Sequence, residues 1–388
     1  MSLVNPGFTF LTERFYNVLR SAAGRARALL HELALARQVS QDELLPVLTA
    51  NAGSLRELHL RTLYISHLYD NDRLNSTAPF FDAVVAAAPL LQVLTAEEVF
   101  CTLKDAPRLL RAEQALAPLQ MRDVLTVDCD ADTVAGRERF APFAAAFVDA
   151  ALQPALLHVR ICYADTAQPA VMGALADAAL ARRLLELRLV YCTPPAAAPL
   201  ARLLAEGSLT HFGLEDVPAG DTPLFDAAGA ALLADALRVN TTLTKLNLSD
   251  ARLFVDTLAA PLLLGSLVGH RSLRELRIYG NRATTTEGRC TFGAALAALI
   301  TAEAPALQTL DCGSCALGDV GLAPIVEALS LNRHLRELDV SDNDISEAFA
   351  RELLLPAVRA NTTLLILHAG FFPSEPDAEE AMELVDRC

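Results

Sequence analysis

Residues Leu335–Ile345 read LRELDVSDNDI, and residues Leu273–Ala283 read LRELRIYGNRA. Both satisfy L-x-x-L-x-L-x-x-N-x-L, a spacing with a direct structural meaning. Side chains of an extended chain alternate between faces. Template positions 4 and 6 (Leu338 and Val340) therefore share one face, and positions 3, 5 and 7 (Glu337, Asp339 and Ser341) share the other. The pattern predicts a short strand with one apolar face, ended by a turn that carries a polar residue at position 9.

Working outward, the template recurs, with varying fidelity, from Leu55, Leu91, Val124, Leu156, Leu184, Leu209, Leu243, Leu307 and Leu364. Together these make about eleven units at a mean period of roughly 31 residues, the regime of stacked repeats. Between them lie Ala/Leu-rich stretches of helical periodicity, such as GAALLADALRVNTTL from Gly229 and GLAPIVEALSLNRHL from Gly321. One strand and one helix cannot cover their own apolar faces, so each unit must stack on its neighbours. The expected fold class is α/β: a solenoid, or horseshoe, of strand–loop–helix units with a parallel sheet on the concave side and helices on the convex side. The repeats occupy residues 53–372. TERFYNVLRSAAGRARALLHELALAR (Thr12–Arg37) reads as a helix in an N-terminal cap, 1–52, and EPDAEEAMELVDRC as a helix in a C-terminal cap, 373–388. No composition shift marks a second domain.

These motifs resemble the leucine-rich repeat family, specifically its ribonuclease-inhibitor-like subclass, over roughly Gly53 to Phe372. The N-x-x-L extensions at Asn240 and Asn361 belong to the same resemblance. It implies that position 9 bonds the loop backbone between neighbouring repeats. Asn281, Asn343, Cys192 and Cys315 occupy that position, whereas Leu63, Val99, Ala164, Val217, Ala251 and Phe372 depart from it and imply irregular turns.

Composition narrows the classes further. Apolar residues make up 53%, yet tryptophan is absent, so the core must be built from Leu, Ala and Val. A formal charge of −15, spread without an acidic block, argues against nonspecific binding to nucleic acid or an anionic membrane. Eight cysteines in 388 residues are too sparse for a disulfide scaffold and favour a reducing compartment. No uncharged apolar run reaches about 18 residues, and the N-terminus lacks a basic region followed by an apolar one. The arginines from Arg14 to Arg27 run directly into a leucine-periodic segment, which favours structure over a mitochondrial presequence. Cys388 is the final residue, so no C-a-a-X box exists. The expected location is cytoplasmic, with cytoskeletal or flagellar association open.

Cys312 and Cys315 form a C-x-x-C, a spacing compatible with zinc or redox chemistry. Register places Cys312 at core position 6 and Cys315 at position 9, and no second C-x-x-C or nearby histidine pair completes a metal shell. The structural reading is preferred. His158 and His211 fall at position 3 and His59 and His368 at position 5, in different repeats and without a matching nucleophile, so surface recognition is preferred to catalysis. No G-x-x-x-x-G-K-[ST] is present, and neither a catalytic residue, a cofactor nor a metal is expected.

The open face carries most of the remaining signal. Position 5 runs His59, Thr95, Asp128, Arg160, Arg188, Gly213, Asn247, Arg277, Asp311, Asp339, His368, basic in the middle and acidic toward the C-terminus. Arg and Tyr dominate binding hot spots, so Arg160, Arg188, Arg277 and Tyr279 are the preferred protein contacts, with His158, His211, Glu186 and Glu275 beside them. The alternative is a solvated face on which Glu186 neutralises Arg188 and Glu275 neutralises Arg277. YDNDRLNSTAP, DVPAGDTPLFD and NRATTTEGRC are expected to leave the repeats as loops. The leading expectation is a non-enzymatic scaffold that binds one or more proteins. A subunit of a large assembly such as the axoneme, where the nexin–dynein regulatory complex has a similar subunit, is an alternative. So is a small-GTPase regulator similar to the GTPase-activating protein of nuclear transport, although that family's acidic tail is missing. Ribonuclease inhibition is disfavoured by the missing cysteines and tryptophans.

Overall fold

The computed structural model describes residues 2–3, 32–40, 46, 48–64, 87–103, 106–111, 119–129, 134–148, 156–218, 224–255, 257–302 and 306–369. The chain forms two compact units, 1–164 and 165–388.

The first unit contains β1 (Ser2–Leu3), β2 (Glu32–Ser40), β3 (Glu57–Tyr64), β4 (Val93–Thr102), α1 (Ala106–Arg111), β5 (Leu119–Asp128), α2 (Val134–Val148) and β6 (His158–Cys162). Each strand pairs in parallel with the next. Glu32–Ser40 is thus a strand, contrary to the helix expected through Arg37. Its ELALARQVS alternates with period two, and pairing to β3 decides the outcome. The C-terminal cap lies outside the described residues.

Strands β4 and β5 are each ten residues long, and β4 is irregular midway. Leu94 and Ala96 are buried, then Val99 and Cys101, so the alternation slips by one residue at Glu97–Glu98. Opposite this point β5 takes three residues, Met121 to Val124, against two in β4, Ala96 to Glu98, so the bulge's extra residue lies on β5. Val99 and Leu63, read from sequence as irregular turn residues, are therefore paired strand residues. The Val124 unit is also displaced. Thr126, not Asp128, pairs with Arg160, and Asp128 pairs with Cys162, a shift of two residues that preserves the face. Behind the sheet, Phe140, Phe143 and Phe147 on α2 form a fully buried aromatic row.

The second unit follows the template closely. It contains α3 (Pro169–Arg182), β7 (Glu186–Val190), α4 (Ala197–Glu206), β8 (His211–Glu215), α5 (Ala227–Val239), β9 (Lys245–Asn247), α6 (Ala259–Ser266), β10 (Glu275–Arg277), α7 (Thr286–Thr301), β11 (Thr309–Asp311), α8 (Gly318–Leu329), β12 (Glu337–Asp339) and β13 (Ile366–His368). From β7 to β13 each strand is parallel to the next, with position 4 opposite position 4 throughout. Leu187, Phe212, Leu246, Leu276, Leu310 and Leu338 consequently stack as one buried column, with Leu189, Leu214, Leu248, Ile278, Cys312 and Val340 as a second. Between β12 and β13 the helix runs through Glu347–Phe349, a π turn at Ala350–Leu354, and Leu355–Ala360. Pro356 lacks an N–H and its ring crowds the carbonyl four residues back, and the wider π turn accommodates both.

Two of the expected insertions run into helix starts. NRATTTEGRC leaves β10 as a short turn, but its second half is the first turn of α7: Thr285 caps the helix by accepting from Gly288 N at 3.0 Å, and Glu287 favours the N-terminal dipole. Asp226, at the end of DVPAGDTPLFD, caps α5 in the same way at 2.7 Å. YDNDRLNSTAP lies outside the described residues.

Two columns of buried polar side chains close the backbone account. At position 9, Asn281 donates to the carbonyls of Leu248 (2.6 Å) and Ile278 (2.8 Å) and accepts from Leu253 N (2.6 Å). Asn343 repeats the pattern with Cys312 (2.8 Å), Val340 (3.1 Å) and Leu317 N (3.0 Å). Between them Cys315 donates to Ile278 O at 3.2 Å. Each of the three thus reaches position 6 of the repeat before. The second column, three residues ahead of each strand's first leucine, is Asn240, His270, Asn332 and Asn361. Each asparagine accepts from two backbone N–H groups entering the strand. His270 does the same through Nδ1, from Leu273 N (3.1 Å) and Ser272 N (3.4 Å).

Asn343→Ala leaves three buried backbone groups without partners. At about 1–3 kcal/mol for an unsatisfied group, with partial relief by water, the expected loss is roughly 2–4 kcal/mol, read as a lowered urea midpoint at unchanged slope. His270 supplies a second test. Burial lowers its pKa from the ordinary 6.5, the Leu237 carbonyl acting weakly the other way. The unfolded chain then binds a proton that the folded chain refuses, so this contribution is complete above about pH 6.5 and declines as pH falls toward the folded pKa. His270→Asn, which copies Asn240 and Asn361, is expected to narrow the gap between urea midpoints at neutral and mildly acidic pH.

Candidate protein-binding face

In the second unit the strand face opposite the leucine columns is lined by positions 3, 5 and 7. Its first cluster is Arg188, Glu215 and Gly213. Arg188 forms a two-pronged ion pair with Glu215 on the next strand, Nε–Oε1 2.7 Å and Nη2–Oε2 2.6 Å. A Cβ on Gly213 would sit 2.5 Å from Glu215 Oε1 and 3.1 Å from Arg188 Cγ, so glycine at position 5 is what lets this pair lie across the strand. Glu186, expected to neutralise Arg188, makes no ion pair among the described residues. His211 stands opposite it in register, with Nδ1 2.8 Å from Thr210 Oγ1.

The second cluster is centred on Glu275, which pairs with Arg277 (2.7 Å) and with Lys245 on the neighbouring strand (3.2 Å). The expected Glu275–Arg277 compensation is present. Even so, the Lys245 and Arg277 side chains remain 52% and 53% exposed, while Glu275 is only 19% exposed. Positive charge is presented outward from a carboxylate held beneath it. Tyr279, two residues on, is exposed and its hydroxyl lies 3.2 Å from Ser314 Oγ.

Farther along, the face turns acidic. Asp311 and Asp339 are opposite in register, with Glu337 and Thr309 beside them (Thr309 Oγ1 to Glu337 Oε2, 3.3 Å). Burial raises the Asp311 pKa. A hydrogen bond from Gly313 N opposes the shift, as does Arg277, while Asp339 and Glu337 reinforce it. Asp339 is tied down by Ser341, whose N and Oγ lie 2.8 and 2.6 Å from its Oδ1.

His158 and Arg160 lie on β6 in the first unit. His158 Nδ1 is 2.7 Å from Asp123 Oδ1 on the adjacent strand. The Nε of Arg160 is enclosed without a hydrogen-bond partner. His59 Nδ1 meets Thr95 Oγ1 at 2.8 Å.

The sulfurs of the C-x-x-C serve separate carbonyls, Cys312 that of Asp339 (3.2 Å) and Cys315 that of Ile278. Both are fully buried, and burial pushes the Cys315 thiol up to about 12 and that of Cys312 well above its ordinary value. Among the described residues no group of three or more His, Cys, Asp or Glu could hold a metal ion.

A family profile described as "Leucine Rich repeat" matches residues 239–253 and 331–347, which contain the strand entries to β9 and β12. The fold is that of leucine-rich repeats: the matched repeats share their register and turn bonds with those between them. Among solved structures, the tropomodulin C-terminal domain of Caenorhabditis elegans is 17% identical at a TM-score of 0.35, covering 42% of this chain and 93% of that one. Leiomodin-1 actin-binding site 2 is 18% identical at 0.34, covering 40% and 86%. No curated protein matches the chain.

Thiolates, not thiols, react with alkylating agents, so Cys312 and Cys315 should resist iodoacetamide in the folded protein, whereas exposed Cys290 should be modified. Mass mapping before and after addition of denaturant checks this.

Proposed function

We propose that the protein is a non-enzymatic interaction scaffold, of the ribonuclease-inhibitor-like type, that binds partner proteins through the open sheet face of residues 165–388. The reading is carried by one observation: Lys245 and Arg277 project from adjacent strands over a carboxylate they share. Such an arrangement leaves both cations able to meet an acidic partner surface without rearranging the backbone, since the strands beneath are fixed by the leucine columns. The Arg188–Glu215 pair and Tyr279 extend the same surface, which then offers the arginine and tyrosine contacts that dominate hot spots. His211, Glu186 and Glu275 take the flanking roles, and His158 and Arg160 would belong to a separate contact on the first unit. An α-helix between successive strands from β7 to β12 supports the subclass. No helix among the described residues is long and apolar enough to cross a membrane.

The test is affinity recovery of companions from native extract with Lys245 and Arg277 both changed to Glu. Glu275 is only 19% exposed and loses both partners, so the thermal midpoint should fall modestly and is measured alongside, while recovery of the principal companion should fall at least about tenfold. Full recovery with both charges reversed would remove this face from the reading.

A further inference from the structure

The turns that follow the strands hold a groove of about 550 Å³ that the sheet-face reading does not use. Asp216 and Asp250 line it from position 8 of adjacent repeats, and Arg252 and Arg282 from position 10 of the next pair. Val217 N donates to Asp250 O at 3.0 Å, which fixes the two aspartates side by side. Among the described residues none of the four charged side chains forms an ion pair. Arg252 Nη1 only grazes the Pro218 carbonyl at 3.5 Å. Opposite charges share one cavity and have not collapsed onto each other.

The groove is also built so that this condition holds. A Cβ on Gly280 would lie 2.0 Å from Asp250 Oδ1, so the Asp250 carboxylate rests on bare backbone, and Gly280 takes φ +74° to provide it. Burial, Asp250 and Glu215, in that order, raise the Asp216 pKa, so a cation placed between the aspartates would relieve a repulsion already present. At the end of the groove stands Tyr191, 45% exposed and at φ 54°, a backbone conformation that suits Gly, Asn or Asp and not a bulky ring. An aromatic face beside carboxylates is suited to a lysine or arginine side chain.

We propose that this groove binds a segment of a partner protein carrying a basic and an acidic side chain close together, the basic one between Asp216 and Asp250 against Tyr191, the acidic one between Arg252 and Arg282. A cavity of this size accommodates two side chains and the backbone joining them. The proposal rests on the scaffold reading in that the ligand is a protein, but it uses none of the sheet-face residues.

The probe is a set of fluorescein-labelled Gly/Ser peptides with one lysine and one glutamate a few residues apart, alongside lysine-only, glutamate-only and uncharged versions. Each is titrated into the full chain and followed by anisotropy. Mixed-charge peptides should bind at least about tenfold tighter than the single-charge ones. Asp216→Asn with Asp250→Asn should abolish the lysine's contribution, and Arg252→Gln with Arg282→Gln that of the glutamate, with thermal midpoints confirming folding. Gly280→Ala, which displaces the Asp250 carboxylate, should behave like the aspartate pair. Equal binding of all peptides, or wild-type affinity in both double variants, would overturn the proposal. If companion recovery still depends on Lys245 and Arg277 while the peptides fail, the groove falls and the scaffold stands. Peptide binding with recovery indifferent to those charges gives the reverse.

Discussion

A turn buried between two stacked repeats cannot leave its carbonyls bare, and everything regular in residues 165–388 depends on how that demand is met. Asn281, Cys315 and Asn343 each reach back to the position 6 carbonyl of the preceding repeat. Because that carbonyl belongs to a residue in the leucine columns, the bond ties the turn of one unit to the strand of the last. Strand register, helix start and the direction of every side chain on the open face follow from that tie. Cysteine can stand in for asparagine because the essential donor is a single hydrogen, although it leaves the acceptor role unfilled.

The repeats of the second unit were legible because local pattern and tertiary demand agree there: the side chain that alternation sends inward is also the one the neighbour needs. The first unit was harder to read. Its strands run past the template, β4 changes phase at Glu97–Glu98, and β5 takes one residue more than β4 at the same level, so a fixed spacing sets Asp128 two positions off its partner and mistakes Val99 for a turn. The signal was present in LTAEEVFC, where the apolar interval changes from two residues to three. Glu32–Ser40 was misread because ELALARQVS satisfies a helical period as well as an alternating one, and only a neighbouring strand to pair with separates them.

On the site, the sequence located the columns but not their pairings. Adjacent spacing suggested Glu186 for Arg188, yet the arginine reaches across strands to Glu215, and the glycine that clears its path reads in sequence as a gap in the charge pattern. Spacing within one strand can reveal Glu275 beside Arg277; distances between strands emerge only once register is known. The groove was missed altogether, because positions 8 and 10 lie beyond the strand and carry no hydrophobic period.

Position 8 carries one more consequence. Tyr163, Tyr191, Asp216, Asp250, Gly280, Ser314 and Asp342 all adopt positive φ, and from Tyr191 to Ser314 each N–H is satisfied by the next repeat's backbone. The left-handed backbone costs an ordinary residue about 1–2 kcal/mol relative to glycine. A tyrosine here is a thermodynamic burden that selection for stability alone would have removed. Where a repeating scaffold carries that burden in two neighbouring turns and places Asp, Gly or Ser in the equivalent turns farther on, the tyrosines mark where stability has been exchanged for something else.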